Sequence, residues 1–170
     1  MGGSVSECSG GLRGLKYGVT KHYIMGMQLV LANGEVIRWG GKTVKNVTGY
    51  DLVALFTGSE GTLGIITEII VKLIPAPEAR KSILAVFDSV DKAGNAIAAI
   101  IRNKVIPATL EIMDKVTIQT VENFVHAGLP MDAEAVLLCE VDGYKEAVER
   151  EAVLVELDFA RRRSRSSKNC

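Results

Sequence analysis

Glycine recurs at every third position in Gly58-Ser59-Glu60-Gly61-Thr62-Leu63-Gly64, with no bulky side chain before Leu63. An apolar, β-branched run from Ile65 to Ile74 follows at once and stops at Pro75 and Pro77. Glycine belongs where the backbone turns through positive φ or lies in contact with a flat or anionic group. A glycine loop that feeds straight into a strand therefore suggests backbone laid against a large ligand. The spacing is not the GxGxxG of dinucleotide folds, which also requires a helix next. Glu60 offers a carboxylate, but inside such a loop its expected role is to accept hydrogen bonds from loop amides.

Other chemistry-bearing residues are sparse. His22 and His126 lie far apart with no further histidine, so neither builds a metal site of ordinary ligand number. Cys8, Cys139 and Cys170 are odd in number, widely spaced and free of CxxC pairing, which indicates neither a disulfide framework nor zinc. Gly40-Gly41-Lys42-Thr43 invites a phosphate-loop reading, but that motif needs a glycine at position 36, where Val36 stands. Tyr17 and Tyr50 suit a polar-rimmed ring ligand and suit a core equally well.

The elements that must position these groups can be read from apolar periodicity. Tyr23–Leu31 and Glu35–Trp39 form an expected hairpin closed by Asn33-Gly34. Tyr50–Phe56 has helical spacing and a stop at Gly58. The run through Leu73 reads as the central strand of a first lobe, and the prolines at 75 and 77, with polar 78–82, mark a boundary. Beyond it strands and helices alternate. The strands are Ile83–Phe87, Ala108–Met113 and Ala135–Val141. The helices are one striped by Val90, Ala93, Ile97, Ile100 and Ile101 with Ser89 as cap, a second striped by Val116, Val121, Phe124 and Val125, and a third after Asp142-Gly143.

Bulk properties fit a globular chain of the α/β or α+β class: 170 residues, 48% apolar, 24% charged and no formal net charge. No apolar run reaches the roughly 18 residues that span a bilayer, and no secretory signal pattern opens the chain. The balance of charge is local. Residues 161–170 hold five of the 20 Lys and Arg and no acid, leaving 15 basic against 20 acidic residues and a net of −5 in the first 160. Residues 158–170 read as a basic, disordered tail rather than a nucleic-acid arm, and no nucleic-acid partner is expected.

Several segments together carry a resemblance. GSEGTLGIITE (58–68) resembles a flavin-binding segment of the FAD-linked oxidases that share the fold of vanillyl-alcohol oxidase. Gly10-Gly11, Lys16-Tyr17-Gly18 and Lys42 to Leu52 (KTVKNVTGYDL) match that family in order and spacing, as do Leu110 to Asp114 and Phe124 to Gly128. Within it the pattern is most similar to the FAD-linked subunits of glycolate oxidases, with D-lactate dehydrogenases as near relatives. The resemblance covers residues 2 to 152.

It implies an α+β fold: the second half of a PCMH-type FAD-binding domain (1–78), then the start of an α/β oxidase cap domain (79–157). It implies FAD as cofactor, contacted by Ser9, Gly10, Gly11, Tyr17, Gly18, Glu60, Gly61, Thr62, Leu63, Gly64, Ile65 and Ile66. It also implies oxidation of a short 2-hydroxy acid, glycolate or D-lactate, with iron–sulfur and second FAD-type subunits as partners. The location implied is cytoplasmic, with association at the inner face of the membrane. Two positions depart from the pattern: Cys8 stands where the family has Asn, and Ser9 where it has Ala. The family's upstream pyrophosphate loop and downstream histidine motif are not in this sequence. The expectation is therefore a middle fragment, inactive alone, with its catalytic residues unassigned and an interaction module as the alternative.

Overall fold

The structure is a computed structural model that describes residues 1–162, and it divides into two compact units. The first contains Met1–Gly14 and Gly18–Pro75; the second contains Leu15–Tyr17 and the chain from Ala76 onward.

In the first unit, strands β1 (Ile24–Val30), β2 (Val36–Gly40) and β3 (Ile65–Val71) form an antiparallel sheet in the order β2-β1-β3. The central strand is thus β1, and the run after the glycine loop is an edge strand rather than the expected centre. Strand alternation sorts the faces. Met27 and Leu29 point into a core with Val5, Val53 and Phe56, and Ile66 and Ile69 pack against it. Gln28, Arg38, Thr67 and Glu68 lie on the opposite face. There the Gln28 amide donates to Thr67 Oγ1 at 2.9 Å and Arg38 pairs with Glu68 at 3.1 Å. Leu29 is fully buried, so truncating it to alanine costs about 2–5 kcal/mol.

Two short helices cover the apolar face: α1 (Gly2–Ser6) and α3 (Leu52–Phe56). Asp51 caps α3 by accepting the Ala54 amide at 3.0 Å, as its side-chain type favours. Two glycines hide α1 from a propensity reading; it forms because Val5 is fully buried against the sheet. The hairpin turns through 31–35, with the Leu31 amide on Glu35 O at 2.9 Å.

The second unit has helix α2 (Gly14–Tyr17, its last three residues), then β4 (Ala79–Phe87), α4 (Val90–Arg102), β5 (Thr109–Asp114), α5 (Lys115–Val125), β6 (Ala135–Gly143) and α6 (Lys145–Arg162). The strand–helix alternation is as expected. The sheet is antiparallel, in the order β4-β6-β5. Strand β4 begins at Ala79, inside the stretch whose polarity suggests a linker: Arg80, Lys81 and Ser82 are exposed edge-strand positions. β6 is central, which accounts for its nearly unbroken apolar run.

Helices α4 and α6 cover one sheet face. Phe87 and Phe159 meet edge to face there, with centroids 6.0 Å apart. Ser89 caps α4 as expected, accepting the Asp91 amide at 3.2 Å. Its buried stripe is Ala93, Ala96, Ala99 and Ile100, whereas Val90 and Ile101 are exposed. Alanines serve the contact because they let helix and sheet approach closely. α5 is rotated further from expectation: Val116, Phe124 and Val125 are exposed, and Ile118 alone on that helix is buried, packed with Ala133 and Val136 on the other sheet face. α6 runs through residues 158–162, assigned above to the tail, because Asp158 and Phe159 are buried and Asp158 accepts a 2.7 Å bond from Asn103. The rest of the tail, 163–170, lies outside the described residues.

Candidate functional site

In the first unit the fold joins the two glycine-rich segments through their backbones. The Gly58 amide donates to Val5 O at 3.0 Å, and the Glu60 amide to Ser6 O at 2.8 Å. These acceptors are carbonyls at the end of α1, which have no partner inside the helix. The end of α1 is itself closed by a Schellman arrangement. The Ser9 amide reaches Ser4 O at 2.9 Å and the Cys8 amide reaches Val5 O at 3.1 Å. That motif puts Cys8 in left-handed backbone, with φ +50°. The position favours Gly or Asn, which gives a physical reason for the family's Asn.

The loop beyond this junction is open. Gly61 (φ +74°) and Gly11 have no atom within 4 Å of where a Cβ would stand. The amides of Gly61, Leu63 and Gly64 have no backbone acceptor among the described residues, whereas the Thr62 amide and hydroxyl both close on Ser59 O at 3.0 and 2.6 Å. Gly64 differs: a Cβ there would stand 3.0 Å from Val30 O, so its glycine is required by the neighbouring strand. Leu63 and Ile65 are exposed, by 43% and 68%, while Ile66 turns into the core, so only its backbone is available to a ligand.

Not every expected residue joins this cluster. Ser9 is beside it, but its hydroxyl is 3.4 Å from both Ser4 O and Thr20 Oγ1, and its carbonyl accepts the Thr20 hydroxyl at 2.7 Å. A Cβ on Gly10 would stand 3.2 Å from Val19. Gly18 has an internal explanation: φ is +80°, and a Cβ would collide with His22 Nδ1. Glu60 adopts φ +52°, and its exposed carboxylate has no hydrogen bond among the described residues, contrary to the expected bonding to loop amides. Ser59 Oγ is buried without a partner among those residues.

Tyr17 belongs to the second unit. Its hydroxyl donates to Asp142 Oδ2 at 2.7 Å, while Lys16 Nζ lies 2.5 Å from Oδ1 and also donates to the Asp142 carbonyl. Asp142 is 3% exposed, so the lysine and tyrosine supply the charge and donors that its burial demands. No sequence pattern links residues so far apart in the chain.

The histidines have structural places. His22 Nδ1 accepts the Val19 amide at 3.1 Å, and His126 ends α5 at φ +54°. Two carboxylates at α5 sit below their ordinary values: Asp114, the N-cap before it, because it accepts from Thr117, and Glu122, within it, because it accepts the amides of Leu129 and Gly128. Burial, with a smaller contribution from Glu151, pushes the Cys139 thiol up to about 12, which makes it inert packing. No cluster of metal-ligating side chains occurs among the described residues.

An unpaired row of amides beside glycines that need no side-chain space is suited to an anionic, flat ligand such as a flavin nucleotide. Comparison with known proteins agrees in kind. Residues 76–163, most of the second unit, match the C-terminal domain of FAD linked oxidases. The chain is 54% identical over 156 residues to glycolate oxidase subunit GlcD of Bacillus subtilis, covering 92% of this chain and 33% of that protein. It is 36% identical to a D-lactate dehydrogenase of Anaerostipes hadrus, over 86% of this chain and 32% of that one. The chain thus spans about a third of the length of the curated relatives it matches. Among solved structures, alkyldihydroxyacetonephosphate synthase shares the fold with a TM-score of 0.75 at 23% identity, over 95% of this chain and 32% of that one. The chain therefore belongs to the FAD linked oxidases.

Proposed function

We propose that this chain supplies part of the flavin site, and the beginning of the cap, of an FAD-dependent enzyme that oxidises a short 2-hydroxy acid to the 2-oxo acid. The junction of the two glycine segments carries the reading: Gly58 and Glu60 bonded to Val5 and Ser6, with the Gly61, Leu63 and Gly64 amides left open. FAD, when bound, supplies acceptance of the substrate's hydride; the protein's part is binding and orientation.

The backbone amides of Gly61, Leu63 and Gly64 hold the cofactor's polar groups, while Ser9 to Gly11 and the start of β3 at Ile65 and Ile66 lie along it. Leu63 and Ile65 give an apolar surface that excludes water from the ring. Thr62 holds the turn through Ser59 O, so the amides are fixed before the ligand arrives. Glu60 and Gly18 shape the backbone of the first unit around these segments.

Glycolate is the substrate favoured by the 54% relative, and D-lactate the alternative favoured by the 36% relative. The relatives called glycolate oxidase subunits suggest an assembly, in which iron–sulfur and second FAD-type chains would take the electrons. No helix among the described residues is long and apolar enough to cross a membrane; a cytoplasmic site, at the membrane's inner face, is part of the proposal. The test is a chimera in which residues 1–157 replace the matching third of the Bacillus subtilis subunit. Flavin-dependent turnover of glycolate is expected, slower with D-lactate. A flavin-loaded chimera that oxidises neither acid would overturn the substrate assignment.

A further inference from the structure

The first unit contains a cavity of about 340 Å³ that shares no wall with Ser9–Gly11 or with the glycine loop. Lys21, His22, Trp39, Tyr50, Asp51 and Lys72 line it. Its charges are unbalanced. Both lysines are exposed, and neither forms an ion pair among the described residues. The single facing carboxylate, Asp51, already accepts the Ala54 amide as the cap of α3. His22 Nδ1 accepts the Val19 amide, which leaves Nε2–H as the donor of the ring.

The backbones that carry the two ammonium groups are tied together. Lys72 follows β3, Lys21 lies in the short 3-10 turn Thr20–His22, and the Lys72 amide bonds Tyr23 O at 2.8 Å. Two cations thus share one cavity with a single carboxylate, Asp51, whose Oδ1 is engaged by the Ala54 amide. Trp39 and Tyr50 add aromatic walls, against which a planar organic group packs.

We propose that this cavity binds a small oxyanion, a carboxylate or a phosphate, between Lys21 and Lys72, with His22 Nε2–H as a further donor. The ammonium groups supply charge-assisted bonds, and the His22 ring is held in place by Val19. This binding does not depend on the flavin reading, because none of its residues belongs to the proposed cofactor contacts.

Trp39 is the sole tryptophan of the chain, and it forms part of the cavity wall, so its fluorescence reports occupancy directly. The experiment titrates the chain with sodium glycolate, sodium phosphate and AMP at constant ionic strength. Saturable change is expected with at least one of them. Glycolate alone assigns a carboxylate, phosphate and AMP assign a phosphate, and all three assign the oxyanion without further selectivity. Lys21→Gln and Lys72→Gln should each weaken binding about tenfold, near 1.4 kcal/mol, and the double variant should abolish saturation. Lys92→Gln, in the second unit, should change nothing. Both cavity lysines are exposed, so the variants are expected to fold, which circular dichroism checks. Linear, unsaturable quenching with every anion, or saturation unchanged in the double variant, overturns the proposal.

Discussion

The amide of Gly58 lies 3.0 Å from the carbonyl of Val5, and this bond joins two glycine-rich segments more than fifty residues apart. Val5 is fully buried, so its carbonyl is fixed by the core. The glycine loop is thereby registered against α1, and past Glu60 the amides of Gly61, Leu63 and Gly64 have no backbone acceptor among the described residues. A loop tethered at one end and open along its length is pre-organised for a ligand, because little chain entropy remains to be lost on binding.

Cys8 should be a point of strain beside that bond. A residue with a Cβ in left-handed backbone is disfavoured by roughly 1–2 kcal/mol, and Asn tolerates the region better. Cys8→Asn is expected to stabilise the first unit by about 1 kcal/mol, raising the melting temperature of that unit by about 4–8 °C. Differential scanning calorimetry checks this; a fall in melting temperature would show that the thiol's own packing outweighs the strain.

Sequence made the local elements legible where a periodic signal and a stop signal coincide. The hairpin across Asn33-Gly34, α3 before Gly58 and the Ser89 cap of α4 all come from such pairs. It misplaced elements whose position is set by contacts distant in sequence. α1 is held by Val5 against the sheet despite its glycines, and β3 is an edge because β1 pairs on both its sides. The α4 stripe holds at Ala93, Ile97 and Ile100 and fails only at Val90 and Ile101, whereas the face of α5 was misread because Ile118 makes the contact while larger apolar residues stay outside. At the candidate site the glycine loop stood out by spacing. The engagement of Tyr17 with Asp142, and the internal need for Gly18 and Gly64, depend on neighbours that no spacing reveals.

Removing the Tyr17 hydroxyl isolates its structural role. Tyr17→Phe keeps the ring but takes one donor from buried Asp142. A loss of about 1–3 kcal/mol is expected in chemical unfolding of the second unit. No loss would mean that Lys16 alone satisfies the carboxylate.

Acid should weaken the second unit through Glu122. Its pKa in the fold lies below the ordinary 4.5, held down first by the Leu129 amide and then by that of Gly128. A lowered carboxylate pKa contributes stability above the unfolded value, and that contribution disappears as pH falls through the folded value. Glu122→Gln should therefore be less stable than the parent at neutral pH, with the gap closing below about pH 4. Melting temperatures of both proteins across this range check the sign; a gap independent of pH would contradict it.

Flavin retention tests the glycine-loop account most directly, and Gly11 is the cleanest position at which to test it. A side chain at Gly64 would strain the Val30 backbone, so loss of flavin there would be ambiguous, whereas Gly11 has open space. In the chimera carrying residues 1–157, flavin absorbance should show about one FAD per chain. Gly11→Val should leave the melting temperature of the flavin-free protein unchanged and remove most of the bound flavin. Full flavin occupancy in Gly11→Val, or a colourless but folded parent chimera, would contradict the account.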